Sequence, residues 1–323
     1  MSEFRKDPIS QRWVIFSGGE KKPEEYSYSM AEINSDSENC PFCEKNRHMI
    51  ETEIASKSVN GRWAARIVNN KFPALIENIN IEKYADGIYD QMTGYGYHEV
   101  IIDSHDHNIP FHELSQIEIE AVIELFLERF KTFRRDKTLK YVLFFKNFGA
   151  PAGASLSHSH SQLVATPVVP KIVMEELNSA KKYFNYKERC IFCDLINQEF
   201  IDEKRIITSN DSFIAIVPYA PRFPFESWIL PKIHESSFGD ISSYEISNLA
   251  SVLKDVLNRL ETVFPKLPYN FVIHTAPFEN HCKDYYHWHI EIMPRLTKVA
   301  GFEWGSGFYI TETSPEHAAS YLK

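Results

Sequence analysis

Two short histidine motifs, 129 residues apart, constrain the fold of this chain more than any other feature. The first reads His-Ser-His-Ser-Gln at 158–162, and the second reads His-Trp-His-Ile-Glu at 287–291. Residues two apart on a β-strand point to the same face, so each motif places two imidazole rings and a further polar side chain together. A motif that recurs along with its surroundings indicates a duplicated module.

The surroundings of the two motifs follow the same order. Each half carries a Cys-x-x-Cys pair, a strand-like run ending in histidine, an amphipathic helical stretch, a second strand-like run and then the histidine motif. This order predicts an α+β fold of two tandem domains, each an antiparallel sheet with packed helices. Prolines at 167 and 170 mark the join. We therefore predict an N-terminal domain over residues 1–170 and a C-terminal domain over residues 171–323.

Charge and hydropathy exclude several classes of protein. The net charge of −9 argues against a general nucleic-acid-binding protein, which is normally basic. No window approaches the roughly 18 consecutive apolar residues of a membrane span. The polar start, Met1-Ser-Glu-Phe-Arg-Lys6, does not resemble a secretory signal. These observations predict an enzyme-sized cytoplasmic protein.

The two Cys-x-x-Cys pairs can be redox pairs, halves of zinc sites or accidents of sequence. A redox pair needs a thioredoxin-like strand–helix context, which neither pair has. Zinc prefers four thiolate and imidazole ligands, and each half offers two cysteines, the histidine that ends a strand and the first histidine of the motif. The predicted ligands are Cys40, Cys43, His107 and His158 in one half, and Cys190, Cys193, His234 and His287 in the other.

Spacing leaves two of these ligands ambiguous, because His105 can replace His107 and His289 can replace His287. The alternative to zinc is a set of small buried cysteines with unrelated histidines nearby. A site filled by four protein ligands keeps no position open for water or substrate. We therefore expect two structural Zn²⁺ ions rather than catalytic ones.

The second histidine of the first motif, His160, shares the strand face of His158 but is not needed as a ligand. A segment rich in glycine and small residues, 146–155, precedes it directly, and its backbone N–H groups can approach an anion closely. This combination predicts a histidine nucleophile that attacks phosphorus, with Gln162 donating to a phosphate oxygen. The alternative is a core histidine. The second half has a bulky, charged loop at 275–286 and Glu291 in place of Gln162, so we predict chemistry in the first half alone.

These features, together with residues 7–15 and the tail Gly-Phe-Glu-Trp-Gly-Ser-Gly-Phe-Tyr-Ile at 301–310, resemble the galactose-1-phosphate uridylyltransferase family of the histidine-triad superfamily. The resemblance covers essentially the whole chain and implies two tandem histidine-triad-like domains. It implies that His160 carries a nucleotidyl group as a covalent intermediate and that Gln162 supports the transferred phosphate. The positions that match the family's nucleotide and phosphate contacts are Asn70, Asn147, Gly153 and Ser155.

Parts of the sequence depart from the usual family pattern. The motif His-Ser-His-Ser-Gln replaces His-Pro-His-Gly-Gln, and this version and the tail are similar to the plant ADP-glucose phosphorylase branch. Some bacterial members bind iron at the positions of His274, His287 and His289, so the second site could hold iron, although Cys190 and Cys193 favour zinc.

The resemblance predicts a ping-pong enzyme that moves UMP between UDP-glucose and a hexose 1-phosphate such as galactose 1-phosphate. The alternatives are an ADP-glucose phosphorylase that uses inorganic phosphate, and a nucleotide-binding protein without turnover. The expected partners are thus a nucleotide sugar and a hexose 1-phosphate or phosphate. A homodimer is possible, and the tail at 303–309 is expected to border the site.

Overall fold

The computed structural model describes residues 1–31, 37–279 and 281–323. Its largest element is one ten-stranded antiparallel sheet that both halves of the chain build. The strands of this part of the chain are β1 (Glu3–Lys6), β2 (Trp13–Phe16), β3 (Glu53–Val59), β4 (Arg62–Asn69), β5 (Lys83–Asp86), β6 (Tyr89–Met92), β7 (Tyr97–Ile102), β8 (Tyr141–Phe148), β9 (His160–Thr166), β10 (Ile206–Ser209), β11 (Phe213–Ile216), β12 (Ser227–Pro231), β13 (Tyr269–His274), β14 (His289–Pro294) and β15 (Tyr309–Thr311). The α-helices are α1 (Gln116–Phe133), α2 (Lys171–Lys187), α3 (Ile191–Asp202), α4 (Ser243–Val263), α5 (Gly301–Ser306) and α6 (Pro315–Leu322).

The order of strands in the large sheet reproduces the sequence duplication. The first half contributes β3-β4-β7-β9-β8 and the second contributes the equivalent series β10-β11-β12-β14-β13, and the two series meet where β8 pairs with β13. At this seam Asn147 lies opposite Asn270. The predicted α+β fold is confirmed, and the two halves join edge to edge in a continuous sheet.

Equivalent helices α1 and α4 cover one face of this sheet together. Each begins with a capping box, formed by Ser115 with Glu118 in α1 and by Ser242 with Glu245 in α4, which satisfies N–H groups that a helix start leaves unpaired. The apolar stripe of α1 packs with that of α4 and with the inward side chains of both halves in one buried core. The shared core holds the two repeats in a fixed relation.

The opposite face of the sheet differs between the halves. In the second half, α2 and α3 pack on it and bury residues such as Ile214, Trp228 and Leu230. In the first half, Val68 and Val100 of this face belong to a small cluster that includes Phe42 and Ile50. The face that the helices cover in one repeat is therefore accessible in the other.

A small second sheet ties the two ends of the chain together. The antiparallel pair β1–β2 accepts β15 as a parallel neighbour, with Tyr309, Ile310 and Thr311 opposite residues 14–16. Within the described residues, none of the helices has the length and apolar character that crossing a bilayer requires.

The contact between Gly239 and Phe130 provides a test of how the two repeats pack. A Cβ at Gly239 would lie 2.1 Å from the Phe130 ring, which sits in the shared core. We expect Gly239→Ala to lower the free energy of unfolding by about 1–3 kcal/mol, as overpacking of a core does, measured by urea denaturation. Gly19→Ala is the control, because a Cβ there meets nothing within 4 Å. Equal stability of the two variants would contradict the packing.

Candidate functional site

The first Cys–His cluster forms where three loops meet beside β9. The ligand atoms of Cys40, Cys43, His107 and His158 all lie within 4.8 Å of one another. Both histidines present Nδ1 to sulfur, at 3.3 Å between His107 and Cys43 and 3.6 Å between His158 and Cys40. A two-thiolate, two-imidazole set of this kind has the ligand chemistry of a closed zinc site.

The outer ring nitrogens of this cluster also have the partners that a metal site needs. His158 Nε2 lies 2.9 Å from the Ser104 carbonyl oxygen, and His107 Nε2 lies 3.4 Å from Ser157 Oγ. Such contacts fix the tautomer that leaves Nδ1 for a metal. Burial lowers the pKa of His158 to about 4, so its imidazole is unprotonated at neutral pH. The residues of the first cluster therefore fit a metal ion.

The second cluster repeats this arrangement at the start of α3. The ligand atoms of its members again lie within 4.8 Å of one another, and the members are Cys190, Cys193, His234 and His287. The distances from Cys193 Sγ to the two Nδ1 atoms are 3.2 and 3.9 Å. The two Nε2 atoms lie 2.7 and 2.8 Å from the carbonyl oxygens of Lys283 and Pro231.

Neither alternative histidine lies in a cysteine cluster. His105 is exposed, with its ring 5.4 Å from that of Trp63. His289 belongs to a third buried group that could hold a metal ion, which consists of Glu176, His274, His289 and Glu291. The three histidines at the positions of iron ligands therefore lie in two different groups. His287 lies with Cys190 and Cys193, whereas His274 and His289 lie in the third group.

His160 is the first residue of β9, and the backbone of His158 holds its imidazole ring. Its Nδ1 donates to the carbonyl oxygen of His158 at 2.8 Å, which leaves the lone pair on Nε2. Burial, and after it the positive charge of Lys146, lowers the pKa of His160. The imidazole is therefore neutral near pH 7, as a nucleophile must be.

A buried ion pair lies directly behind this histidine. Lys146 Nζ lies 2.6 Å from Asp103 Oδ2 and also donates to the carbonyl oxygen of His160 at 2.9 Å. The same carboxylate oxygen accepts from Ser161 Oγ at 3.0 Å, and Ser159 Oγ accepts from Lys146 at 3.0 Å. The pair thus holds the backbone of β9 at the position of His160.

A cavity of about 390 Å³ opens in front of His160. Its size is that of a small-molecule site, which typically measures about 300–1,000 Å³. The walls are largely apolar, and His160, Gln162, Ser155 and Asn70 supply polar groups. Other lining residues are Pro41, Phe42, Met49, Ile50, Glu51, Val68, Asn69, Lys71, Phe72, Val100 and Leu156.

The glycine-rich loop runs beside this cavity in a conformation that needs glycine. Gly149 and Gly153 have φ of 81° and 89°, a region that side chains disfavour. Asn147 Oδ1 accepts from Asn270 Nδ2 at 2.7 Å, so the second half holds the start of the loop. The loop brings Ser155 to the cavity wall, whereas Asn147 and Gly153 do not line the cavity.

The equivalent position in the second half is closed. His289 Nδ1 contacts the His287 carbonyl oxygen at 3.1 Å, as in the first repeat, but the rings of Phe192 and Trp228 each lie 5.3 Å from the His289 ring. Its Nε2 is buried without a hydrogen-bond partner. The nitrogen that corresponds to the predicted nucleophile is therefore enclosed by protein, within the third group that could hold a metal ion.

A charge network fills the space around His289. Arg222 pairs with Glu291 and with Glu226, and Glu176 accepts from His274 Nδ1 at 2.8 Å. Burial alone would lower the pKa of His274, but Glu176 and Glu291 raise it to about 9. Burial alone would raise the pKa of Glu291, but Arg222 holds it well below the usual range.

The tail lies at a second cavity. Trp304 and Tyr309 line a space of about 1,100 Å³ together with Pro151 of the glycine-rich loop, Arg222 and Arg295. No tail residue lines the cavity of His160. Within one chain, the tail therefore borders the far side of the loop rather than the nucleophile.

The sequence did not indicate several residues that shape the site. His98 lies between Asn70 and Gln162, and the Lys146–Asp103 pair lies behind the nucleophile. A lysine inside an otherwise apolar strand was the available signal for the ion pair. No sequence pattern indicated the contacts of His98, because they depend on how β7 pairs with β9.

Known proteins share this architecture over the whole chain. The family model described as the galactose-1-phosphate uridyl transferase N-terminal domain matches residues 2–170, and the C-terminal domain model matches residues 176–308. The chain is 34% identical to an ADP-glucose phosphorylase of Arabidopsis thaliana, over 99% of this chain and 92% of that protein. It is 28% identical to a galactose-1-phosphate uridylyltransferase of Thermotoga maritima, over 100% of this chain and 98% of that one.

A solved structure extends the comparison to three dimensions. The crystal structure of an ADP-glucose phosphorylase from Arabidopsis thaliana with bound ADP-glucose superimposes with a TM-score of 0.84 at 31% identity, covering 100% of this chain and 98% of that one. Together with the site, these relatives define the protein as an enzyme of the nucleotidyltransferase type. The chain belongs to the galactose-1-phosphate uridylyltransferase family.

The two cysteine clusters predict the outcome of removing single ligands. We expect Cys40→Ser and Cys190→Ser each to remove about one metal ion per chain and to lower the melting temperature, because the binding energy of a structural metal is folding energy. Elemental analysis and thermal denaturation measure both effects. Cys282→Ser is the control, since Cys282 lies outside the three clusters. Unchanged metal content in both cluster variants would contradict the assignment.

Proposed function

We propose that the protein transfers a nucleotidyl group from a nucleotide sugar to a phosphate-bearing acceptor through a covalent intermediate on His160. The observation that carries this proposal is the state of His160. Its Nδ1 proton is held by the His158 carbonyl oxygen, its pKa is lowered by burial, and it lines a cavity that Gln162 also lines.

The bond changes follow from that geometry. His160 Nε2 attacks the α-phosphorus of the nucleotide sugar, a P–N bond forms, and the bond to the bridging oxygen breaks to release the sugar 1-phosphate. The His158 carbonyl oxygen stabilises the positive charge that develops on the imidazole. An oxygen of the acceptor phosphate then attacks the same phosphorus and breaks the P–N bond, which restores His160.

The cavity supplies distinct surroundings for the parts of the donor. The apolar side chains of Phe42, Ile50 and Phe72 suit a nucleobase, and Asn70, whose Oδ1 accepts from the Phe72 N–H group, lies beside Phe72. Gln162 and Ser155 suit the phosphate beside His160, because they offer neutral donors rather than a negative charge. Asn147 and Gly153 would act by shaping the loop that carries Ser155.

The particular reaction that we propose is phosphorolysis of ADP-glucose, in which inorganic phosphate accepts the adenylyl group and ADP and glucose 1-phosphate leave. Its support is the 34% identity to the Arabidopsis ADP-glucose phosphorylase across 99% of the chain. The His-Ser-His-Ser-Gln motif, similar to that branch, adds to this support. The second candidate is uridylyl transfer from UDP-glucose to galactose 1-phosphate, which the match of both family models favours.

The supporting features are also proposals. We assign a structural Zn²⁺ ion to each of the two Cys₂His₂ clusters, with no catalytic part. The five cysteines, all within the described residues, form no disulfide, which fits the reducing cytoplasm. The exposed aromatic side chains of Phe4, Trp13 and Trp304 support a homodimer.

Replacement of the nucleophile tests the mechanism. We expect His160→Asn to lower turnover by several orders of magnitude, on the order of the 10⁶-fold loss for a removed nucleophile, because asparagine cannot form the P–N bond. Intact mass measurement after incubation with ADP-glucose or UDP-glucose should find a nucleotidyl adduct on the native enzyme and none on the variant. Metal content should be unchanged, since His160 lies outside the clusters. Retention of most activity would refute covalent catalysis.

Kinetics with defined pairs of substrates test the donor and the acceptor. A single histidine that serves both half-reactions requires parallel lines in double-reciprocal plots. We expect them with ADP-glucose and inorganic phosphate. Parallel lines only with UDP-glucose and galactose 1-phosphate would move the assignment to the uridylyltransferase. Intersecting lines with both pairs would exclude the shared intermediate.

A further inference from the structure

His98 connects two residues of the cavity that are distant in sequence. It lies on β7, where it is the diagonal neighbour of Gln162 on β9, since Val100 is directly opposite Gln162. Its Nε2 lies 2.8 Å from Gln162 Oε1 and 3.0 Å from Asn70 Nδ2. One ring nitrogen therefore contacts both amides.

The backbone determines which nitrogen of His98 carries the proton. The N–H group of Ala74 donates to His98 Nδ1 at 3.1 Å. A nitrogen that accepts a hydrogen bond cannot itself carry a proton in the ring plane. In the neutral ring the proton is therefore on Nε2, the nitrogen that faces the two amides.

Only one of these amides can accept that proton. The carbonyl oxygen of the Asn70 side chain already accepts from the N–H group of Phe72 at 2.9 Å, which turns the Asn70 NH₂ group toward His98. Since an amide nitrogen is no acceptor, the 3.0 Å contact between His98 Nε2 and Asn70 Nδ2 brings two donors together and is no hydrogen bond. The Nε2 proton of His98 therefore goes to Gln162 Oε1, at 2.8 Å. Two hydrogen bonds therefore run in one direction, from the Ala74 N–H group to His98 and from His98 to Gln162.

These two hydrogen bonds fix the orientation of the Gln162 amide. With Oε1 held by His98, the NH₂ group is left for the cavity, where Gln162 lies with His160. Two N–H donors suit a transferred phosphate, whereas the reversed amide would present its oxygen to the negative charge. Without the His98 proton, neither of these hydrogen bonds would favour one orientation of the Gln162 amide over the other.

We propose that His98 is a positioning residue that orients Gln162 with its donors toward the transferred phosphate. The inference rests on the proposed function of the His160 cavity and deepens it. His98 acts through Gln162 and does not itself touch the reacting atoms. Its effect should therefore appear in the rate of nucleotidyl transfer and vanish when Gln162 is absent.

A double-mutant cycle tests this dependence. The measured quantity is the single-turnover rate of adduct formation on His160 with ADP-glucose and, in parallel, with UDP-glucose. We expect Gln162→Ala to lower the rate by about 10²–10³-fold, as loss of a charge-stabilising donor does. His98→Phe should lower it by about tenfold or more, but by no more than Gln162→Ala. In the Gln162→Ala background, His98→Phe should change the rate by less than about twofold, because coupled residues are non-additive.

Conservative variants separate positioning from a structural role. His98→Gln can place an amide N–H where Nε2 was and accept from Ala74, so it should recover most of the rate. His98→Asn is too short to reach Gln162 and should remain slow; this pair keeps the test valid if His98→Phe does not fold. His281→Phe is the control, because the side chain of His281 is 86% exposed. Metal content and melting temperature should be unchanged in the folded variants.

The outcomes distinguish the inference from the function on which it rests. An equal loss from His98→Phe in the native and Gln162→Ala backgrounds would overturn the positioning role. A full rate in His98→Asn, or a rate in His98→Gln as low as in His98→Asn, would do the same. Absence of any adduct on the native enzyme with either nucleotide sugar would instead refute the proposed function.

Discussion

His158 is the residue on which the site depends, because its side chain and its backbone act in different places. The imidazole Nδ1 faces the sulfur atoms of the first cluster, and Nε2 contacts the Ser104 carbonyl oxygen. The carbonyl oxygen of the same residue accepts the proton of His160 Nδ1. A metal ion bound to this cluster would therefore fix the backbone group that sets the tautomer of His160. The cluster can matter for chemistry without any ligand position open to substrate.

The Lys146–Asp103 pair explains how His160 can be both buried and held in place. Burying an ion pair costs desolvation energy that only good geometry and further hydrogen bonds offset. Here the carboxylate also accepts from Ser161, and the ammonium donates to the His160 carbonyl oxygen. Both charges thus act on the strand that carries His160. After burial, the positive charge of Lys146 also lowers the pKa of His160, which favours an unprotonated Nε2.

The sequence predicted those parts of the site that depend on alternation along one strand or on a repeated set of ligands. The spacing of His158 and His160 separated a cluster residue from a cavity residue, and the eight predicted metal ligands come together in two groups of four. Pairing between distant strands could not be read from the chain. The seam between β8 and β13, which lets Asn270 hold Asn147, arises only when the two repeats share a sheet. The hydrogen bond from His98 to Gln162 depends in the same way on the register of β7 and β9.

The difference between the two repeats follows from one strand position and the helices around it. Gln162 is neutral and lines an open cavity, whereas Glu291 at the equivalent position carries a charge and needs a buried partner. Arg222 supplies that partner, and Glu176 from α2 brings a second carboxylate that stabilises the protonated form of His274. The charges of Arg222, Glu291, Glu176 and His274 neutralise one another beneath α2 and α3. The rings of Phe192 and Trp228 lie against His289. Among its described residues, the first repeat has no such helices on this face, so the same scaffold leaves its second histidine facing a cavity. An amide in place of a carboxylate, together with an uncovered face, is thus sufficient to explain why His160 lines a cavity while His289 is enclosed.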